Sequence, residues 1–439
     1  MVSMAIVGTY LISSAGTASL NPSKRATNSF AATLPSAASL IEFSYTLPPN
    51  RMVGGMKALC QAPERIQAFG TSVGFIASIV MTGALPRRII PMGFGQPWKK
   101  YPMASSLRFG FGFDLRNPTE WQQPSPALYA ETLEFIAWTE TLGFENCWFA
   151  EHHGIEDGYL PSPLVIGAAV AARTKNMRIG TGVGLMPHYH PVRFAEDTAV
   201  LDNISNGRVE LCMGIGYLKF ECEAYGIESK TRGKRSDEIL EIVRRLWEGE
   251  TVTYKGEFYD IRKARIFPLP VQRPRIPMFI GAVAPPGLRR AARLGDGYAG
   301  PLANWHAYVG EVKACGKPAS SARIISLDAA DMWSVVSDDP ESALDEIAPH
   351  CYYQINTYAE WQKGTDWGKN YINRMDFDTF KKSGAIKAMR PEEAIEYIRG
   401  RQKLAPIEAF CLQVPSGMPL KAYAKYAETF AKKVLPAFR

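Results

Sequence analysis

Three polar side chains follow directly on the apolar run Cys147-Trp148-Phe149-Ala150: Glu151, His152 and His153. A carboxylate beside two imidazoles gives and takes protons near neutral pH. The run before them reads as a β-strand. In a barrel of parallel strands, the strand C-termini form the functional face. A solvated loop that happens to hold two histidines is the blander alternative. A second constellation begins at Gly180-Thr181-Gly182-Val183-Gly184 and continues through His188, His190, Arg193, Glu196 and Asp197. Small residues along a strand let a flat ring approach the backbone. His188 and His190 read equally well as a helix cap or as packed loop residues. Neither histidine pair has the spacing of a metal site, and no His-Glu-x-x-His motif occurs, so no metal is expected.

The elements that must position these groups alternate regularly from Leu107 onward. Apolar β-rich runs are read at 107–113, 146–150, 177–185, 208–215, 277–281, 297–300, 322–327 and 407–414. Helical patterns are read at 126–142, 161–173, 191–204, 232–248, 287–294, 305–315, 391–401 and 420–434. The segment 251–267 reads as an excursion hairpin. Eight strands alternating with helices, with no Gly-x-Gly-x-x-Gly after the first, predict a (β/α)8 TIM barrel rather than an open dinucleotide-binding sheet. The segment 333–390, before the last strand, is long and aromatic: Tyr352, Tyr353, Tyr358, Trp361, Trp367, Tyr371, Phe377 and Phe380. It is read as a lid-like insertion that excludes water, with an ordinary packed interface as the alternative.

Charge separates the chain into two regions, 1–106 and 107–439. The net charge is +7 over 439 residues. Residues 1–106 hold nine Lys/Arg and two Glu, and the remaining basic and acidic residues balance. The expected barrel therefore carries no basic footprint, and nucleic acid is not an expected partner. Residues 1–106 are rich in Ser, Ala, Thr, Gly and Pro and read as a poorly structured N-terminal leader. Three targeting readings compete there: a transit-like peptide, a secretory signal at Ala5–Ile12, and a membrane span at Ile66–Pro86. The signal lacks a preceding positive residue, and the span is interrupted by Gly70, Gly74 and Gly83. Translated upstream sequence with no fold of its own, ending at Met103, is the plainer reading. Seven cysteines without a C-x-x-C pair fit free thiols in a reducing compartment, and the cytoplasm is expected.

Several motifs together make the chain resemble the bacterial-luciferase-like monooxygenase family. They are Phe149-Ala-Glu-His-His153, His190-Pro-Val-Arg-Phe-Ala-Glu-Asp197 and Leu201-Asp-Asn-Ile-Ser-Asn-Gly-Arg208. Glu221-Cys-Glu-Ala-Tyr-Gly226, Arg235-Ser-Asp-Glu-Ile-Leu240, Leu288-Arg-Arg-Ala-Ala-Arg-Leu-Gly-Asp-Gly297 and Leu412-Gln-Val-Pro-Ser-Gly-Met-Pro419 follow in family order. The resemblance runs from about 107 to 436. It implies a (β/α)8 barrel using reduced FMN, supplied by a separate flavin reductase, with dioxygen and a small, fairly apolar organic molecule as substrates. Some branches use a deazaflavin for hydride transfer instead, and a non-catalytic flavin-binding relative is a third reading. A homodimer is implied.

Carried over residue by residue, the resemblance makes His152 the catalytic imidazole, His153 its lesser neighbour and Glu221 the active-site acid. Thr181 and Gly182 fall where the family's strand meets the flavin ring. Arg235, then Arg232, are the candidates for the flavin phosphate. Gly281, Ala284 and Gly287 belong to the turn that holds that phosphate in the family. Here the turn reads Ala282-Val-Ala-Pro-Pro-Gly287, with two residues that have no N–H and no Ser/Thr hydroxyl. Where the luciferase has an arginine and a reactive cysteine after the fourth strand, this chain has Ile215 and Gly214.

Overall fold

The computed structural model describes residues 107–363 and 374–439, and ahead of them only the strands Ser3–Gly8, Ala77–Thr82 and Lys99–Lys100. Two units divide the chain, Met1–Gln96 and Pro97–Arg439. In the first, Ser3–Gly8 pairs antiparallel with Ala77–Thr82. The rest of the stretch weighed as a membrane span lies outside the described residues. Among the described residues no helix is long and apolar enough to cross a membrane.

The second unit is built on eight strands: β1 (Arg108–Phe113), β2 (Asn146–Phe149), β3 (Arg178–Leu185), β4 (Leu211–Gly214), β5 (Met278–Gly281), β6 (Gly297–Gly300), β7 (Ile324–Ser326) and β8 (Ile407–Gln413). Each lies parallel to its neighbours, and β8 pairs with β1 to close the ring. This is the (β/α)8 barrel the alternation predicts. Lys99–Lys100 pairs in parallel with Gln272–Arg273, so residues ahead of Leu107 join this unit.

Local chemistry explains why these segments adopt these forms. The helices Pro163–Arg173, Pro191–Ile204, Pro285–Leu294 and Pro391–Leu404 all open on proline. The first helical N–H has no intrahelical acceptor, so proline sacrifices nothing there and presets φ. Glycine lets strands close up: a Cβ on Gly180 would lie 1.9 Å from the Glu210 carbonyl oxygen. The apolar residues divide into two layers. Trp148, Cys212, Phe279, Ala299, Ile325, Ala409 and Cys411 fill the barrel interior. A larger cluster lies between the strands and the surrounding helices.

The two departures from plain alternation sit where expected. Val252–Lys255 and Asp260–Ala264 form the antiparallel hairpin. The insertion before β8 is more regular than its composition suggests. Ser334–Val336 pairs with Lys387–Met389, and Pro340–Gln362 is a 23-residue helix. Pro349 inside that helix and the density of aromatics hid its period, since proline removes a helix hydrogen bond. Trp367 and Tyr371 lie outside the described residues.

Candidate active site at the C-terminal mouth of the barrel

β2 delivers Glu151, His152 and His153 to the barrel mouth, and all three are buried. The chain then doubles back: the His152 N–H donates to the Leu160 carbonyl at 3.2 Å, and the Leu160 N–H to that of Asp114 at 2.9 Å. Glu151 accepts from the Leu185 N–H at 2.7 Å and from the Tyr189 hydroxyl at 2.8 Å. It is thereby fixed to the end of β3. Gly184 makes room for it, since a Cβ there would lie 3.1 Å from Glu151 Oε2 and 2.8 Å from Met213 Sδ.

The two histidines differ in what their rings have left to offer. His152 Nδ1 lies 2.8 Å from Glu221 Oε1, which also accepts from the His153 N–H at 2.8 Å. A carboxylate at that place assigns the proton to Nδ1 and leaves Nε2 as the group that exchanges protons. His153 is bonded at both nitrogens: Nε2 to Glu151 Oε1 at 3.1 Å and Nδ1 to the Tyr225 hydroxyl at 3.1 Å. Of the two, His152 is the one with a ring nitrogen that has no hydrogen-bond partner among the described residues. Glu221 is 1% exposed, and its Oε2 has no hydrogen-bond partner among the described residues. It rides on the short helix Lys219–Ala224, which the strand–helix reading passed over because six residues show no period.

The His152 ring is enclosed by aromatic side chains. Tyr159, Trp361, Tyr217 and Tyr358 lie 4.8, 5.2, 5.6 and 6.2 Å from it, centroid to centroid. Two of these belong to the insertion helix. Tyr159 and Tyr217 went unnoticed in the sequence. So did Asp114 and Arg116, although they follow β1 as Glu151 and His152 follow β2. The same strand-end rule finds them.

The other expected site residues are distributed more widely. Thr181 is buried, donating its hydroxyl to the Cys212 carbonyl at 2.7 Å and accepting from the Cys212 N–H at 3.1 Å. Its polar capacity serves the β3–β4 seam. Gly182 packs on Trp148, where a Cβ would approach the Trp148 Cβ to 2.8 Å. Gly281 ends β5, and a Cβ there would lie 3.0 Å from Val183 Cγ1. Arg232 Nη1 donates to the Ser229 carbonyl at 2.7 Å and Nε to that of Gly216 at 3.2 Å, holding the loop after β4. Arg235 stacks on Phe258 at 4.8 Å and on Tyr259 at 5.6 Å, both from the hairpin. Its Nη1 donates to the Tyr259 hydroxyl at 3.3 Å, and its buried Nε has no partner among the described residues.

Ala284 caps the helix Pro285–Leu294, so both prolines lie in its first turn. The N–H groups of Gly287 and Leu288 donate to the Ala284 carbonyl, leaving that helix start poor in free donors. Gly287 packs closely on Ala282, which a Cβ would approach to 2.6 Å. A shallow depression too tight to hold a water molecule lies nearby, lined by Gly214, Ile215, Ser236 and Arg290 among others. Arg290 is already paired with Asp237 at 2.5 Å. A larger cavity, about 410 Å³ of open space, lies between the ends of β1 and β8 and is lined by none of the expected site residues.

His188 stacks on Tyr225 at 4.6 Å and lies 5.1 Å from His153. Burial, with His153 beside it, lowers its pKa from 6.5 to about 4. Between those values the unfolded chain binds the additional proton, so stability falls as pH drops through that window. His188→Phe keeps the stack and removes the titration. It should flatten the loss of stability between pH 6.5 and 4 by at most about 3 kcal/mol, less whatever solvent screening removes. Urea midpoints at pH 7 and pH 4.5 check this. An unchanged difference between the two midpoints would show that another group carries the acid sensitivity.

A parallel barrel with a carboxylate-held imidazole at its C-terminal mouth defines a class of barrel with acid–base machinery. The chain belongs to the luciferase-like monooxygenase family, whose model matches residues 108–400. Among its relatives is the oxygenase component of flavin-dependent trigonelline monooxygenase from Acinetobacter baylyi. The two are 32% identical over 181 residues, 41% of this chain and 50% of that protein. An F420-dependent glucose-6-phosphate dehydrogenase from Amycolatopsis mediterranei is 34% identical over 176 residues, 38% of this chain and 52% of that one. This chain thus spans about half the length of these curated relatives. The structure of monooxygenase RslO1 from Streptomyces bottropensis superposes with a TM-score of 0.64 at 26% identity. That match covers 75% of this chain and 99% of the other.

Proposed function

We propose that the protein is a flavin-dependent monooxygenase that oxidises a small, fairly apolar organic molecule with dioxygen. The observation that carries this reading is the His152–Glu221 pair, with Nδ1 held and Nε2 left outside the network. Gly182, Gly184, Gly214 and Gly281 carry no side chains of their own at the ends of β3, β4 and β5, and Trp148, Glu151, Met213 and Val183 pack close against them. Reduced FMN, when bound, supplies the electrons that activate dioxygen. His152 exchanges a proton at Nε2 as oxygen is transferred, and Glu221 stabilises the imidazolium that forms. The aromatic wall excludes water from that exchange. A flavin reductase as supplier and a homodimeric assembly belong to the same reading, as does a leader outside the catalytic unit, shortened from 1–106 because Lys99–Lys100 pair within that unit.

The phosphate end is the less typical part. With few donors free at Pro285, the charge falls to Arg235, whose Nε has no partner among the described residues and whose plane is clamped by two rings. Arg235→Ala should weaken flavin binding by about 1.5–3 kcal/mol, the scale of a hydrogen bond to a charged group. Fluorescence titration with FMN measures it, and an unchanged dissociation constant would remove Arg235 from the site.

The donor-poor turn and the F420-dependent relative keep a deazaflavin dehydrogenase as the second reading. The deciding experiment titrates the protein with FMN and with the deazaflavin, then follows dioxygen uptake with a flavin reductase present. Tight FMN binding with reductase-dependent uptake is expected. Deazaflavin binding without uptake would overturn the monooxygenase reading.

A further inference from the structure

The insertion helix Pro340–Gln362 crosses the barrel mouth as a strap. His350, Gln354, Tyr358 and Trp361 recur every three to four residues along it, with Tyr353 one turn from His350, and so share one face. That face is tied down in sequence. His350 Nδ1 donates to the Ser416 carbonyl beyond β8 at 3.1 Å. Gln354 donates to Asp114 after β1 at 2.6 Å. Tyr353 donates to Asp157 at 2.8 Å, and the Tyr358 and Tyr159 hydroxyls meet at 2.7 Å. The last turn therefore stands over His152, with Trp361 at 5.2 Å.

Behind that turn lies Arg116, whose side chain is 0% exposed. Its guanidinium is ion-paired with Asp157 at 2.6 Å and stacks 4.8 Å from Tyr353, 5.1 Å from Trp361 and 5.6 Å from Tyr159. Burial opposes its charge, but Asp114 and Asp157 together outweigh that and hold it protonated. The rings nearest His152 are thus positioned by a buried ion pair and not by apolar packing alone.

We propose that Trp361 and Tyr358 are the specificity-determining residues of the site beside His152, and that they select an uncharged, planar aromatic substrate. This rests on the monooxygenase reading for the reaction, not for the recognition. Four rings surround the imidazole, and ring against ring is favoured over ring against saturated carbon. A cationic substrate is disfavoured, because the Arg116 guanidinium already engages Trp361 and Tyr159. An anion gains little net charge from Arg116, because Asp157 pairs with it at 2.6 Å, although the buried Nη1 has no hydrogen-bond partner among the described residues. The Tyr159–Tyr358 pair leaves a single hydroxyl hydrogen without a partner among the described residues. That hydrogen suits one oxygen substituent on the ring. Arg116 acts through Tyr353 and Trp361 and is a positioning residue.

The test uses the full chain saturated with oxidised FMN and four bicyclic probes of matched size: 2-naphthol, decahydro-2-naphthol, 2-naphthoate and N-methylquinolinium. Equilibrium dialysis gives their dissociation constants without turnover. We expect 2-naphthol to bind at least about tenfold more tightly than each of the others. Trp361→Leu should abolish its advantage over the saturated alcohol, and Trp361→Phe should restore it. With 2-naphthol as substrate, Arg116→Lys should raise KM and the ratio of peroxide to product more than it lowers kcat. Equal affinity for the two alcohols in the unaltered protein would overturn the proposal, as would tighter binding of either charged probe. A Trp361→Leu protein that weakens both alcohols equally would do the same. If FMN does not bind but the unaltered protein still ranks the probes this way, the monooxygenase reading fails and this one stands.

Discussion

Replacing His152 by alanine is expected to lower oxygenation of the organic substrate by about 10²–10⁴-fold, the usual contribution of a positioned acid–base group. Flavin binding should stay nearly unchanged, because no phosphate candidate touches His152. Reduced flavin would still consume dioxygen, so hydrogen peroxide should accumulate in place of product. His153→Ala is the internal control. Both nitrogens of His153 are occupied, by Glu151 and Tyr225, so its loss disturbs packing and leaves the proton-exchanging group in place. Glu221→Gln should fall between the two, since an amide oxygen still accepts from Nδ1 but no longer stabilises an imidazolium. Product and peroxide measured side by side for the three variants check this. Equal losses in His152→Ala and His153→Ala would make the pair structural.

The largest effect on stability is expected at the opposite end of the barrel. Glu210 is fully buried beneath the strands and holds Arg108 Nη2 at 3.0 Å and Arg178 Nε at 3.3 Å. Glu408 continues the network with Arg323 at 2.5 Å and Arg108 at 3.9 Å. Every member lies near the N-terminal end of a strand, far along the chain from the others, so the network ties β1, β3, β4, β7 and β8 together. Glu210→Ala would leave two buried guanidinium groups short of their counter-charge, an imbalance that typically costs about 3–5 kcal/mol. A comparison is Glu134→Ala, whose exposed pair with Arg173 at 3.6 Å should be worth roughly 1 kcal/mol or less. Urea denaturation of both variants decides the matter. Similar midpoints would mean that water replaces the missing carboxylate.

Much of the barrel was legible because its signals are local. Pro191 at a helix start, Gly143 after a helix end and the apolar run before Glu151 each report on the few residues around them. The expected elements match the observed ones to within a few residues along most of 107–439. The insertion was legible only as a composition, because Pro349 and the crowded aromatics conceal the helical period of 340–362.

The sequence by itself determined that Glu151, His152 and His153 end a strand at the functional face. It also determined that glycines line the neighbouring strand and that the expected barrel carries no net charge. It did not determine which histidine keeps a free nitrogen. That depended on Glu221 and Tyr225, some 70 positions away, arriving at the two rings from the loop after β4. Only the tertiary structure likewise placed Trp361 and Tyr358 over His152, and Arg116 behind them. Hydrogen bonds and ring contacts act over a few ångströms and take no account of separation along the chain. Residues far apart in sequence therefore become one site only when the closed barrel brings their strand ends together.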